Sequence, residues 1–423
     1  MSQLLNGQFM IKGLAIAVTT LMVGTAHAAK TEQQQIQELR QEVEALKSLI
    51  QQQQQVQQQQ QTQIAQVQQA KPAAPATALS SLKSKSGADV SIYGFVRGDA
   101  NYIIKGADND FNSASTSKEE ASDKLRATAK VTRLGLDFNT PVGDNKVGGK
   151  VEVDFASGAA ENLRIRHAYL TFNNWLFGQT TSNFLSNHAP EMIDFNTNVG
   201  GGTARVPQVR YSQKLAPATQ LFVSAEEGNS SAGTVSTSTP VTYRAPVLTA
   251  KVTQGFADGK GLASARALVE HYKSEAANDD KTGWGAAVGT NYQVAEPLKV
   301  SADVSYVKGN SNYLYGNNSA FVVDGNSIEQ NETIGVQVGA TYKFSPQLRS
   351  TLAYGALFAD DGTDYARLNT GANEKVQQAW INFIYSPVKP VDLGIEYLNG
   401  ERETFAGEKF SDDRVGFMAR YSF

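Results

Sequence analysis

From about residue 90 to its end the chain repeats one pattern, short segments in which apolar and polar side chains alternate. Val147, Val151, Val153 and Phe155 interleave with Lys146, Lys150, Glu152 and Asp154. Ile334, Val336, Val338, Ala340, Tyr342 and Phe344 alternate with Thr333, Gln337, Thr341 and Lys343, and Val391, Leu393, Ile395 and Tyr397 alternate with Asp392 and Glu396. A period of two marks strands with one apolar and one polar face. A soluble sandwich has such strands too, but no reason to continue them to the end of so long a chain. A barrel with lipid outside and water inside has that reason. Beyond the N-terminal leader, no stretch nears the ~18 consecutive apolar residues of a spanning helix. A membrane crossing would therefore be made by strands closed into a barrel.

Candidate strands begin near residues 90, 125, 146, 163, 175, 206, 219, 244, 263, 283, 298, 331, 348, 374, 391 and 412. That makes about sixteen, an even number, as bacterial barrels require. The 36 glycines against 12 prolines, with 16 Tyr and 19 Phe, suit many short strands joined by tight turns. Short turns at 141–145, 215–219, 295–298, 345–347 and 386–390 alternate with longer polar loops, which should face outside. The turns share one rim only if 244–256 forms a single strand. The fold class expected is all-β and transmembrane, a sixteen-stranded antiparallel outer-membrane barrel over 90–423 preceded by an α-helical coiled-coil segment.

Residues 1–28 read as a signal peptide: Lys12 precedes an apolar run from Gly13 to Gly24, and Ala26-His27-Ala28 is a small-x-small cleavage site. Over 29–70 the apolar residues fall on a seven-residue repeat, with Ile36, Val43, Ile50 and Ile64 at a and Leu39, Leu46 and Val67 at d. Gln53, Gln57 and Gln60 take core positions within the glutamine tract and keep the register. The alternative is a polar spacer. A helix from Ile36 to Val67 would be about 48 Å long. β-Branched a with Leu d favours dimers in simple parallel coils, so this seam by itself does not argue for three chains. Prolines 72 and 75 end the helix, and 71–89 reads as a Pro/Ala/Ser linker.

The last segment, Arg414-Val415-Gly416-Phe417-Met418-Ala419-Arg420-Tyr421-Ser422-Phe423, alternates strictly and ends on phenylalanine. It resembles the C-terminal strand that barrel assembly machinery recognises, with Phe423 as the signal. Ile92-Tyr93-Gly94-Phe95-Val96-Arg97-Gly98-Asp99-Ala100, Thr132-Arg133-Leu134-Gly135-Leu136 and Arg166-His167-Ala168-Tyr169-Leu170 are similar, in order and spacing, to early strands of trimeric porins. With its coiled coil, the whole mature chain resembles the DcaP-like porins of Acinetobacter and relatives. That resemblance implies a homotrimer in a Gram-negative outer membrane, in contact with lipid and lipopolysaccharide, with the coiled coil in the periplasm. It also implies a preference for dicarboxylates and related small organic anions, a substrate class that rests on the resemblance alone.

Lumen cations attract permeant anions, and rings of Arg or Lys serve them. Arg97 and Asp99 share the inward face of the first strand, and Arg126 and Lys130 are inward early in the second. The apolar set then changes parity, as a bulge near Thr132 requires, which brings Arg133 inward as well. Arg164 and Arg166 share a face on the fourth strand, and Arg210 follows on the sixth with Gln208 and Ser212 beside it. The competing use of these arginines is structural pairing with Asp99, Asp137, Glu152 and Asp154. The long loop from Thr180 to Arg205 carries His188, Glu191, Asp194 and Arg205, and in similar porins such a loop folds into the barrel as the constriction. Acidic loop residues Glu191 and Asp194 facing an arginine wall would set up a transverse field, and Gly200-Gly201-Gly202 would supply a bend.

Other functions find little support. Beyond the leader the histidines are His167, His188 and His271, none in nucleophile or metal spacing, and cysteine is absent. No cofactor, metal or nucleic-acid partner is expected. The alternative to a channel is a plugged surface receptor or an envelope tether, which would use long loops such as 106–124 and 310–330 without passing solute.

Overall fold

The structure is a computed structural model that describes residues 82–423, apart from 86, 159–160, 187, 203–204, 229–232, 236–240 and 311–312. The expected signal peptide at 1–28, the expected coiled-coil core from Ile36 to Val67 and the expected linker up to residue 81 lie outside the described residues. The end of the expected linker is strand and turn. Leu82 and Lys83 pair with Val90 and Asp89, and the turn between them is tied by the Ala88 amide donating to Ser84 Oγ at 2.9 Å.

The alternating segments form sixteen antiparallel barrel strands. They are β1 Asp89–Gly106, β2 Ala121–Thr128 continuing as Arg133–Val142, β3 Asn145–Ser157, β4 Asn162–Phe172, β5 Trp175–Thr181, β6 Arg205–Ala216, β7 Thr219–Glu226 and β8 Val247–Phe256. There follow β9 Gly261–Ser274, β10 Asp279–Ala295, β11 Leu298–Lys308, β12 Glu332–Lys343, β13 Leu348–Ala359, β14 Asn373–Val388, β15 Val391–Thr404 and β16 Lys409–Ser422. Each pairs with the next, and β16 returns to β1 from Phe95 opposite Ser422 to Lys105 opposite Asp413. Phe423 completes the seam by exchanging both backbone hydrogen bonds with Gly94 at 3.0 Å. Closure leaves no edge strand unpaired in lipid. With β8 as one strand, the short turns at 143–144, 173–174, 217–218, 257–260, 296–297, 344–347 and 389–390 all fall on one rim.

The faces follow the alternation. Leu125, Leu163, Val288, Val304, Val338 and Leu352 stand exposed on the outside, where lipid would cover them. Aromatic pairs gather beside the short-turn rim: Trp175 with Tyr211 (ring centroids 4.9 Å apart), Phe256 with Tyr292 (5.7 Å) and Tyr342 with Phe344 (5.0 Å). The Trp and Tyr rings among them suit the interface, with an apolar body and a polar edge. In β2 the residues 129–132 stand opposite 96–98 of β1, four against three. The Thr132 hydroxyl bridges the bulge, accepting from the Arg97 amide at 3.1 Å and donating to the Arg97 carbonyl at 3.2 Å. One extra residue reverses the parity, so Arg126, Lys130 and Arg133 all reach the lumen.

Three long loops fold inward. Phe184 and Val199 of 182–204 and Tyr313 and Leu314 of 309–331 pack on Val206, Val247, Leu268, Ala287, Val307, Leu357 and Val376 of the inner wall, with Ala114 of loop 107–120 in the same cluster. Buried apolar contacts thus hold these loops against the inner wall at β6, β8–β11, β13 and β14. At the rim opposite the short turns, Gly233–Val235 pairs in parallel with Phe321–Val323, and Phe321–Asp324 pairs with Ser327–Gln330.

Candidate functional site: the arginine wall and the inserted loop

The inserted loop leaves β5 and runs along the inner wall, held at each step by a polar contact. The Ser186 hydroxyl donates to Asp303 on β11 at 2.7 Å, and His188 Nε2 meets Ser264 Oγ on β9 at 2.8 Å. Farther on, Arg349 of β13 grips the Glu191 carboxylate at 2.8–3.1 Å. The Glu191 carbonyl accepts from Trp380 Nε1 at 3.1 Å and Asn382 Nδ2 at 3.0 Å, both on β14. The amides of Ile193 and Asp194 donate to Glu396 on β15 at 2.8 and 3.0 Å. Gly200 carries the expected bend, with φ of +79°, and a Cβ there would lie 2.4 Å from the Val336 carbonyl oxygen. A larger residue would push the loop off β12.

Between this loop and the strands it does not cover lies a cavity of about 740 Å³. Lys130, Arg164, Arg166 and Arg205 line it with Asp110, Asp154 and Glu191, and Arg420 of β16 joins them. Arg164 and Arg166 share Asp154, with contacts of 2.7 and 2.8 Å, and Arg166 also reaches Glu152 at 2.8 Å. The Arg164 side chain is 41% exposed, so its outer edge remains open to solute. Lys130 pairs with Asp110 at 2.8 Å. Arg205 has no carboxylate partner among the described residues, and its Nε is buried without a hydrogen bond. Buried donors in that state favour an incoming acceptor.

The other expected site residues lie outside the cavity lining. Arg97 is fully buried, forks onto Asp99 at 2.5–3.0 Å and donates to the Ile193 carbonyl at 2.6 Å, so it anchors the loop. Arg126 is held by Asp108 at 2.8 Å and Asp110 at 2.7 Å; Lys124 and Arg126 in turn keep the Asp108 carboxyl below its usual range. Arg133 stacks on Phe95 at 5.0 Å, with Nε 3.4 Å from Glu152. Arg210 donates to Gln208 at 3.0 Å and to the Thr181 carbonyl. Asp194 does not face the lumen. Its carboxylate is buried, accepting from the Asn112 amide at 2.7 Å and the Asn196 amide at 2.9 Å, and burial pushes its pKa up.

The model of the DcaP outer membrane protein family matches residues 21–423. The chain belongs to that family. The outer membrane channel DcaP of Acinetobacter baumannii is 70% identical, covering 82% of this chain and 100% of that one, with a TM-score of 0.79. OmpT of Vibrio cholerae (16% identity, 81% of this chain and 100% of that one, TM-score 0.53) and an anion-selective porin from Comamonas acidovorans (13%, 79% and 100%, 0.54) share the barrel fold. No curated protein sequence matches. This DcaP-family chain is thus an outer-membrane channel rather than an enzyme.

Within the DcaP-family barrel, sequence reasoning missed Arg349 and Arg420. Both sit on inward positions of alternating strands, so their face was legible. Their partners were not, because Glu191 lies 158 residues from Arg349 and Asp392 lies 28 from Arg420.

Proposed function

We propose that the channel prefers anions and passes small organic acids, dicarboxylates among them, along the Lys130, Arg164, Arg166, Arg205 and Arg420 wall. The observation that carries this reading is the charge of the cavity lining. Five cations face three carboxylates, Asp110, Asp154 and Glu191, and Arg205 has no acidic partner among the described residues. A surplus of cations in a narrow, partly desolvated passage raises the local anion concentration. Glu191 lines the same cavity from the loop, so the field across the passage has a direction. The dicarboxylate class itself rests on the resemblance to DcaP-like porins.

The working unit in this reading is a homotrimer in lipid and lipopolysaccharide, folded by the barrel assembly machinery through the Phe423 end, with the coiled coil in the periplasm. Ion selectivity of Arg205→Ala and Arg166→Ala channels tests the wall. Each should lower the anion-to-cation permeability ratio severalfold, and unchanged selectivity in both would remove the site.

A further inference from the structure

A second group of cations lies on the inner wall of β6, β8 and β9, apart from the cavity just described. Lys251 of β8 points inward and is 7% exposed. Among the described residues it makes no hydrogen bond and no ion pair; its ammonium lies over the Phe222 ring, 5.2 Å from the centroid. In the strand register Lys251 stands directly opposite Arg266 of β9 on one side and Phe222 of β7 on the other. Like charges directly opposite each other in a sheet repel. A buried cation without a partner is costly, and an aromatic face offsets only part of that cost.

The nearby carboxylates are already engaged. Asp303 accepts both contacts of Arg266 Nη2, at 2.7 and 2.6 Å, and the Ser186 hydroxyl besides. Glu226 Oε1 accepts from Ser224 at 2.7 Å, Thr249 at 2.6 Å and the Asn183 amide at 3.2 Å, while Oε2 accepts from Tyr313 at 2.7 Å. Arg210, the third cation within electrostatic range of Lys251, is held by uncharged oxygens of Gln208 and Thr181. Three cations therefore face two saturated carboxylates. One positive charge is left over, and it resides on the one of the three side chains with no hydrogen-bond acceptor. Arg266 Nε is also buried without a partner.

We propose that Lys251, flanked by Arg210 and Arg266, holds a monoanion, either a chloride or a single carboxylate group. A single negative charge at the ammonium would neutralise the surplus and relieve the repulsion across the Lys251 and Arg266 register. The site deepens the anion-channel reading and rests on it for the supply of anions through the lumen. It gives a transiting acid a second station, on a different arc of the wall from Arg205.

Bromide soaked into crystals of the full-length protein, located by its anomalous scattering, tests the site. The expected result is a bromide at Lys251 Nζ in the wild type and its loss in Lys251→Met, a substitution that removes the charge while keeping most of the unbranched side chain. No bromide at Nζ in the wild type, or the same peak in Lys251→Met, would overturn the proposal. The reading it rests on fails differently: a wild-type channel without anion preference in a salt gradient would refute the arginine wall, whereas the bromide position decides the Lys251 site by itself.

Discussion

Glu191, in the middle of the inserted loop, lies in the fork of Arg349 on β13, with Nε 3.1 and 2.9 Å from its two carboxylate oxygens and Nη2 2.8 Å from the first. This pair joins the loop to the wall opposite its origin. It is partly exposed, with side chains 22% and 33% accessible, and such pairs contribute only ~1 kcal/mol or less. The Glu191 carbonyl is held separately by Trp380 and Asn382. Glu191→Gln should therefore leave the mean conductance near wild type. Excursions of the loop should become at most about fivefold more frequent, seen as added open-channel noise. A large rise in mean conductance would show that the backbone contacts do not hold the loop.

Arg97 presents the opposite case. It is buried together with Asp99, and its guanidinium also satisfies the Ile193 carbonyl of the loop. Arg97→Ala would strand a buried carboxylate, at a cost of about 3–5 kcal/mol. Replacing both partners by apolar residues of similar size, as in Arg97→Met with Asp99→Leu, should cost less than the single change. Urea titrations of barrels refolded into vesicles check the order; a double variant less stable than the single would contradict it.

The sixteen strands and their faces were legible because a barrel wall is a local code, in which each side chain's direction follows from its neighbour's. Even the bulge of β2 showed, as a parity change between Lys130 and Arg133. The uses of the inward charges were less legible. Arg97 and Asp194 carry the signature of lumen residues, yet both hold the inserted loop. Lys251 was overlooked, although it alternates with Val252 and Ala250 as plainly as Arg210 does with Val209 and Tyr211. What separates these cases is the course of residues 182–204, fixed by contacts to β9, β11, β13, β14 and β15 that no local period encodes.

His188 belongs to that course. Burial lowers its pKa below the usual imidazole value, and Arg266, Lys251 and Lys299 add to the effect while Asp303 opposes it. The neutral ring therefore donates from Nε2 to Ser264 and accepts at Nδ1 from Asn291, at 2.8 and 3.2 Å. Because the folded state binds the proton more weakly than the unfolded chain, the stabilisation is complete above the ordinary value of about 6.5 and is lost as pH falls through the depressed one. Relative to the base-catalysed rate of an unprotected chain at each pH, the amide protection of Phe184, Leu185, Ser186, His188 and Ala189 should be constant between pH 8 and about 6.5 and should fall only in more acid solution. Protection that falls as pH rises through that range would refute the assignment.

The current carried by the purified full-length protein across a planar bilayer in a potassium chloride gradient, repeated with a small dicarboxylate added, tests the channel assignment most directly. A reversal potential displaced toward that of chloride, with current reduced by the dicarboxylate, is the outcome expected of the arginine-lined passage. A potential displaced toward that of potassium would contradict the anion preference, and absence of current would point to a plugged receptor or tether.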